Sequence, residues 1–351
     1  MDDAVAPAFA ATRAFAVRRI DPGVAADLAA YVRIRTEVTP DHPSSLEEAR
    51  WEDATYPGEI AWFLALADDG RPLGAATTGR IWVHDPTYER YWLGIWVLPE
   101  ARRRGIGSAL LAAAGEAARI TGKTGFETQL SETYAEGHEW LARRSFVVTD
   151  RSKALRLDLA GLAAPDPAPP PGIALVTLAD RPDLLPGVHR VAVETYPDVP
   201  SGDEPLSVGS LEAFAARDVD RAGIPKDAFF VALDVRPASG RAAAEPGAAA
   251  EPGAAAGNAV GFASLVFVPG STTVAYHDMT AVLRAYRGRG LAAALKRAAI
   301  AWAIGHGLEA LETGNDETNA PMRAVNAALG YRPIPDSIGL HGPLPPPGRP
   351  L

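Results

Sequence analysis

VLPEARRRGIGSALLAAA, residues 97–114, and VLRAYRGRGLAAALKRAA, residues 282–299, decide how this chain is read. Each sets arginines before a Gly-x-Gly and then runs into an Ala/Leu helix. The first amides of a helix have no internal partners, and the macrodipole leaves partial positive charge there. Glycine lets the backbone curl until several N–H groups converge, and the planar fork of arginine suits phosphate. An exposed charge at a helix start contributes about 0.3–1 kcal/mol. Several such pieces, with apolar contacts to the rest of a ligand, reach the roughly 8 kcal/mol of micromolar binding. The turns therefore read as pyrophosphate cradles. A single copy reads equally as a basic helix entrance, and the second copy is what favours the cradle.

The two stretches belong to a longer repeat. In constant register, Val97 aligns with Val282, Arg102 with Arg287, Arg104 with Arg289, Gly105 with Gly290 and Leu110 with Leu295. Further on, Gly122 meets Gly307, Glu127-Thr128 meets Glu312-Thr313, Glu132-Thr133 meets Glu317-Thr318, and Ser145-Phe146 meets Gly330-Tyr331. Spaced polar matches without a gap argue for duplication. Between the copies, AGLAAPDPAPPPGIA (160–174) has the composition of a stiff, extended linker. The expected domains are 1–160, a Pro-rich linker 161–171, and 172–351.

Each half reads as strand, helix, hairpin, strand, Gly-rich turn with helix, strand and helix. In the first, RAFAVRRI, the hairpin around Asp68-Asp69-Gly70, RYWLGIWVL and GFETQLS are strands, and FVVTDRSKALRLDL is a closing pair. In the second, GIALVTL starts the plan, and DAFFVALDV with AVGFASLVFV forms its hairpin across a low-complexity loop at 237–258. This order predicts an α/β (α+β) fold, each half a mixed, partly antiparallel twisted sheet flanked by helices.

The chain has 351 residues, 47% hydrophobic and 22% charged, which suits a soluble globular protein of two domains. Its net charge of −9 argues against a general nucleic-acid binder, so any phosphate site is made locally. It has no cysteine, which excludes disulfides, thiolate metal sites and Cys nucleophiles together. The opening Met-Asp-Asp does not suit a signal peptide and no apolar run is long enough to span a bilayer, so a cytoplasmic protein is expected. Abundant Ala, Arg, Pro and Gly suit a high-GC bacterial genome. Seven scattered histidines show no metal spacing, and no metal is expected.

Other phosphate motifs fit less well. The Gly-Lys-Ser/Thr of a Walker loop is absent. Gly288, Gly290 and Ala293 satisfy a loose dinucleotide fingerprint, with Glu309 or Glu312 beyond. That fingerprint normally occupies the first βα turn of its domain, whereas here a helix and a hairpin come first.

At these residues the chain resembles the GNAT superfamily of acyl-CoA N-acyltransferases. The family pattern Val-x-Pro-x-x-(Arg/Gln)-x-x-Gly-x-(Gly/Ala) is met by Val97, Pro99, Arg102, Gly105 and Gly107; Val282, Arg287, Gly290 and Ala292 meet it with Arg284 replacing the proline. NAPMRAVNAALGY (319–331) is similar to the family's last block. The layout is that of tandem members, and substrate does not follow from it. The resemblance implies that main-chain amides of two loops hold the pyrophosphate of coenzyme A. In the first copy these are Arg102, Arg103, Arg104, Gly105, Ile106, Gly107 and Ser108. In the second they are Arg287, Gly288, Arg289, Gly290, Leu291 and Ala292. It implies also that Ile95, Trp96 and Val97, and Ala281 and Val282, pair with the pantetheine arm, and that Asn319 sits at the family's helix-capping position.

Transfer from thioester to amine needs a neutral amine, a polarised carbonyl and a proton for the leaving thiolate. Without cysteine, direct attack in a ternary complex is expected. On HDMTAV (277–282), alternation puts Asp278, Thr280 and Val282 on one face, with His277 opposite as packing; a bulge would swap the faces. The family often carries a carboxylate base on this strand, and Asp278 takes that place; a structural salt bridge is the alternative. The first copy has Leu93 there, and Tyr134 where the second has Asn319, so the second half is expected to be catalytic and the first degenerate or non-catalytic. The family's usual general acid, a tyrosine, is replaced by Leu141 and Asn326, which leaves the proton donor unassigned. Trp82, Trp92 and Trp96 read as core, or as lining of an acceptor pocket. Asp198, Asp203 and Glu204 lie where acceptor-side loops fall, and read as attractors of a cationic amine or as solvated charge.

The reading is an N-acyltransferase, monomer or homodimer, that moves acetyl from acetyl-CoA, its co-substrate, to a primary amine of a small molecule. Two other readings stand beside it. One is an enzyme acting on a peptide or protein amine; the other is a CoA-binding regulatory or scaffolding protein with silent domains.

Overall fold

The computed structural model describes residues 15–200, 204–236 and 258–347. The first half runs β1 (Phe15–Ile20), α1 (Ala25–Val38), α2 (Leu46–Thr55), β2 (Ile60–Ala67), β3 (Pro72–Arg80), β4 (Arg90–Val97), α3 (Ile106–Ile120), β5 (Gly125–Ser131), α4 (Ala135–Ala142) and β6 (Val147–Asp158). The second half begins with β7 (Ile173–Thr177), α5 (Leu185–Thr195), α6 (Leu211–Phe214), β8 (Phe229–Asp234), β9 (Asn258–Phe267) and β10 (Val274–Val282). It ends with α7 (Leu291–Gly305), β11 (Ala310–Asp316), α8 (Ala320–Ala328), β12 (Arg332–Pro333) and β13 (Ser337–Pro343). The low-complexity stretch read as a hairpin loop lies outside the described residues except for Asn258, which opens β9. Strands β8 and β9 do pair as the expected hairpin.

Among the described residues the strands make one mixed sheet, in the order β1-β2-β3-β4-β5-β13-β6-β11-β10-β9-β8-β7. Only β4–β5 and β10–β11 are parallel; each of these joins strands linked through a helix, the connection that parallel pairing requires. The tight β2–β3 hairpin turns at Gly70, whose φ of +81° costs glycine little. Helices α3 and α7 lay Leu110 and Leu295, both fully buried, against the sheet. The α/β fold read from the sequence is the fold observed.

The expected closing pair at 146–159 is instead one strand. TDRSK has no Gly, Pro or Asn to enforce a reversal, and β6 finds antiparallel partners on both sides: β13 and β12 along one edge, β11 along the other. Each half thereby lends its last strand to its neighbour. Ile338 and Leu340 close the first half's core, while Leu157 and Leu159 close the second's. The Pro-rich segment is held down where Arg297 donates to the Pro167 carbonyl at 2.8 Å.

A second contact joins the halves. Trp51 of α2 donates to the Ala216 carbonyl at 3.2 Å, and Arg217 donates to the Trp82 carbonyl at 2.9 Å. This contact faces the site described next.

Candidate active site

Gly105 and Gly290 cap α3 and α7 in the left-handed region, at φ +86° and +84°. Two residues earlier Arg103 (φ 62°) and Gly288 (φ 72°) match in the same region. Alternating conformations of this kind aim successive amides at one point. Among the described residues the amides of 103–108 and 288–293 donate to no acceptor. Arg102 to Gly105, and Arg287 to Gly290, are exposed, while Ile106 and Leu291 are buried and pin each loop to its core. Behind the loops, the Ser108 hydroxyl accepts from Arg144 at 2.8 Å, and Ala292 is half-buried. Both elbows are open, and their donors fit a diphosphate.

The arginines divide the work. Arg102 and Arg287 reach back to the carbonyls of Val97 (3.3 Å) and Val282 (3.0 Å) and brace the loop against the strand before it. Arg287 also meets Asp198 at 2.7 Å, and Arg284 donates to the same carboxylate at 2.8 Å. Two guanidiniums therefore neutralise Asp198 and hold its pKa down, which removes it as an attractor of substrate. Asp203 lies outside the described residues. Arg289 donates to the Ala285 carbonyl at 2.9 Å. Arg103 and Arg104 have no charged partner among the described residues.

Beside each loop the sheet splits. Strand β4 pairs with β5 only over Arg90–Trp92, and β10 with β11 only over Val274–Tyr276. Beyond, the parallel strands part, leaving Ile95, Trp96 and Val97, or Ala281 and Val282, along a gap that leads to the loop. In the first half β4 keeps an unbroken register with β3. In the second half β10 has a bulge: His277 faces Leu265 and Thr280 faces Ala263, so Asp278 and Met279 together oppose Ser264.

This bulge corrects the expected alternation. Val282 packs into the core beneath α7, whereas Ala281 and Met279 pack toward α5, and Asp278 meets Arg221 on that second side. Asp278 thus does not share a face with Val282. It stands with one oxygen 3.8 Å from Arg221 Nη1 and a quarter (25%) of its side chain exposed. Dense packing pushes its pKa up, and Arg221 and Arg217 oppose that rise. The result is a carboxylate shifted toward the range of a general base. Its counterpart Leu93 is buried.

His277 is buried, its Nδ1 2.9 Å from the Tyr331 hydroxyl and its Nε2 without a partner. Desolvation lowers its pKa and keeps it neutral. Lys296 of α7 lies 5.4 Å from the Tyr331 ring centre and is almost fully buried (2% exposed), which pulls its pKa down to about 7. The first half has Trp92, Leu111 and Phe146 at these three positions. Lys296 and Tyr331 had no local motif to mark them; the repeat register would have flagged them as polar replacements of apolar residues.

Asn319 caps α8, accepting from the Met322 amide at 3.3 Å. Tyr134 makes no cap on α4 and donates to Asp41 instead. Asn326 is fully buried and donates to the Asn315 side chain, a packing role. Trp82 stacks on Tyr56 at 4.1 Å, and Trp96 meets Tyr31 edge-on at 5.8 Å; both are partly exposed. Arg217 and Arg221, which face Asp278, and Glu48 and Glu52, which face Arg221 from the other half, were invisible in the sequence because no local pattern connects them. Among the described residues no cluster of His, Asp and Glu suited to a metal occurs, and no helix is long and apolar enough to cross a membrane.

Residues 29–137 and 226–331 both match the family model described as acetyltransferase (GNAT) family. A tandem GNAT protein from the clavulanic acid biosynthesis pathway has this fold at a TM-score of 0.72 and 20% identity, over 95% of this chain and 99% of its own. A GCN5-related N-acetyltransferase from Sphaerobacter thermophilus matches at 0.64 and 16%, over 95% and 97%. The N-myristoyltransferase of Saccharomyces cerevisiae, with bound myristoyl-CoA, matches at 0.62 and 11%, over 97% and 81%. No curated protein matches the chain by sequence.

Proposed function

The chain belongs to the acetyltransferase (GNAT) family, and from that premise we propose that it is a cytoplasmic N-acyltransferase moving an acetyl or other short acyl group from acyl-CoA to a primary amine of a small molecule. The reaction runs in the second half. The observation that carries this reading is the bulge in β10, which sets Asp278 beside a gap leading to an open amide cradle. The first half has the cradle and the gap with neither bulge nor acid.

An alkylamine of pKa about 10.4 arrives protonated at neutral pH. Asp278 takes a proton from it, and the freed nitrogen attacks the thioester carbonyl carbon. The oxyanion develops beside main-chain groups of β10 that β11 leaves unpaired; collapse breaks the C–S bond as the proton still carried by the attacking nitrogen passes to the departing sulfur, giving the amide and CoA thiol. Amides of residues 288–293 hold the diphosphate, with Arg289 adjacent. The chain's lack of cysteine leaves no acyl-Cys route.

Titration with acetyl-CoA, followed by thiol release across a panel of small primary amines, tests the proposal. Saturable release on at least one amine is expected. One observation favours a second reading: Asn326 occupies the place of the family's usual tyrosine acid and is committed to packing. Tight acetyl-CoA binding with no release on any amine would make the protein a silent CoA-binding module.

A further inference from the structure

Helix α2 belongs to the first half, yet it delivers a side chain to Arg221, the guanidinium that faces the second half's Asp278. Ser45 caps α2 by accepting from the Glu48 amide at 3.1 Å. Ser-x-x-Glu is the signature of a capping box, in which the glutamate would return to the cap's own amide. Glu48 does not return. Its Oε1 lies 3.5 Å from Arg221 Nη2, and its Oε2 is buried without a partner. The other Nη of Arg221 stands 3.8 Å from Asp278, and its buried Nε is also unpartnered. A single guanidinium therefore separates a carboxylate of one half from the candidate base of the other, and it binds neither closely.

The charges around it do not balance. Glu52, one turn after Glu48, faces the same group, and burial, reinforced by Glu48, pushes its pKa up to about 7 against Arg35 and Arg221. Glu48, Glu52, Asp218 and Asp278 thus share three guanidiniums, those of Arg35, Arg217 and Arg221. Arg217 meets Asp218 at 2.7 Å and the Trp82 carbonyl at 2.9 Å. Among the described residues the cluster is one positive charge short. A buried anionic excess is costly and draws in either a proton or a cation. A cavity of about 210 Å³ opens at Glu48, between the start of α2 and the β9–β10 turn, with Ser45, Gly223 and Val268 on its walls.

We propose that Glu48, backed by Glu52, binds the ammonium of a cationic acceptor amine as it approaches Asp278 across Arg221, so that the first half supplies the acceptor specificity of the second half's reaction. The proposal rests on the reading of the second half as an acyltransferase. The missing charge is supplied by the substrate, which loses one proton to the carboxylate set as its nitrogen attacks.

The test uses the full chain with ethanolamine, putrescine, glucosamine and lysine amide as probes. Amine binding is followed by calorimetric titration, and thiol release from acetyl-CoA is measured separately. Removing a charged acceptor from an ammonium is expected to weaken binding about ten- to hundredfold. E48Q should show that loss for the best-bound amine, as a rise in KM more than a fall in kcat, with acetyl-CoA affinity and Tm unchanged. E48D, which keeps the charge, should recover part of it. If E48Q does not fold, E48D must weaken amine binding at unchanged Tm. A wild-type chain that binds no amine, or an E48Q chain that binds as tightly as wild type, overturns the assignment. Glu48-dependent amine binding without thiol release would instead sink the transferase reading and leave the cation site standing.

Discussion

The two glycine loops have nearly the same backbone, with Gly105 at φ +86° and Gly290 at φ +84°, and both leave a run of amides unclaimed. The strands that feed them differ. β4 runs in unbroken register beside β3, while β10 bulges at Asp278. The first half even holds more unpaired positive charge at its loop: among the described residues Arg103 and Arg104 meet no carboxylate, while Arg102 pairs with Glu136 at 3.4 Å and Arg287 with Asp198 at 2.7 Å. Gripping a diphosphate takes only backbone and a nearby arginine, and on the proposed reading both copies keep that capacity. Acid–base chemistry needs an extra residue in a strand and buried charges from elsewhere, and only one copy has them.

The comparison breaks most sharply at the loops themselves. Gly290→Glu should abolish thiol release, because it places a carboxylate in the cradle and a side chain at a left-handed φ. Gly105→Glu should leave turnover intact. Full activity in Gly290→Glu, checked by the same assay, would hand catalysis to the first half.

Next in size is Asp278→Ala. Loss of a positioned base should lower kcat about 10²- to 10⁴-fold, with acetyl-CoA affinity nearly unchanged. Because the base works ionised and its pKa is raised, kcat/KM in the wild type should fall as pH drops, at a value above the ordinary carboxylate pKa of about 3.9. A pH–rate profile unchanged in Asp278→Asn would remove Asp278 from the mechanism.

A smaller effect sharpens the contrast between cores. Lys296→Leu installs the residue that the first half has at Leu111, and should stabilise the fold. Burial lowers the folded-state pKa of Lys296 to about 7, against about 10.4 unfolded. The cost of its charge is complete below pH 7, shrinks as pH rises, and is gone above about 10. Denaturation at pH 6 should therefore show a gain of about 2–4 kcal/mol, vanishing near pH 10. A gain independent of pH would mean that packing, not charge, separates the variants.

Smallest of all, Arg103→Gly copies Gly288 into the first loop. Relief of the left-handed strain at φ 62° should add about 0.5–1 kcal/mol, measurable as a modest rise in Tm. No change would show that the loop already relaxes around the arginine.

Some of this was legible from residue order because its causes are local. Arg102, Gly105 and Gly107, and Arg287 and Gly290, announced the cradles, since a Gly-rich turn into a helix makes its own amides converge whatever surrounds it. The register between the copies exposed Leu93 against Asp278 and Tyr134 against Asn319. The same alternation rule failed at HDMTAV, because an inserted residue is a property of two strands together. The expected closing pair failed too, because residues 147–158 form one strand whose neighbours, β11, β12 and β13, come from the other end of the chain.

By itself, the order of amino acids determined the α/β elements, the duplication and the two glycine-rich turns, all governed by contacts within a few residues. Only the folded molecule decided that the halves exchange their last strands, that Asp198 is spent on Arg284 and Arg287, and that Arg221 stands between Glu48 and Asp278. Those outcomes depend on charges and hydrogen-bonding edges brought together from distant segments, and their energies exist only once burial has removed the water between them.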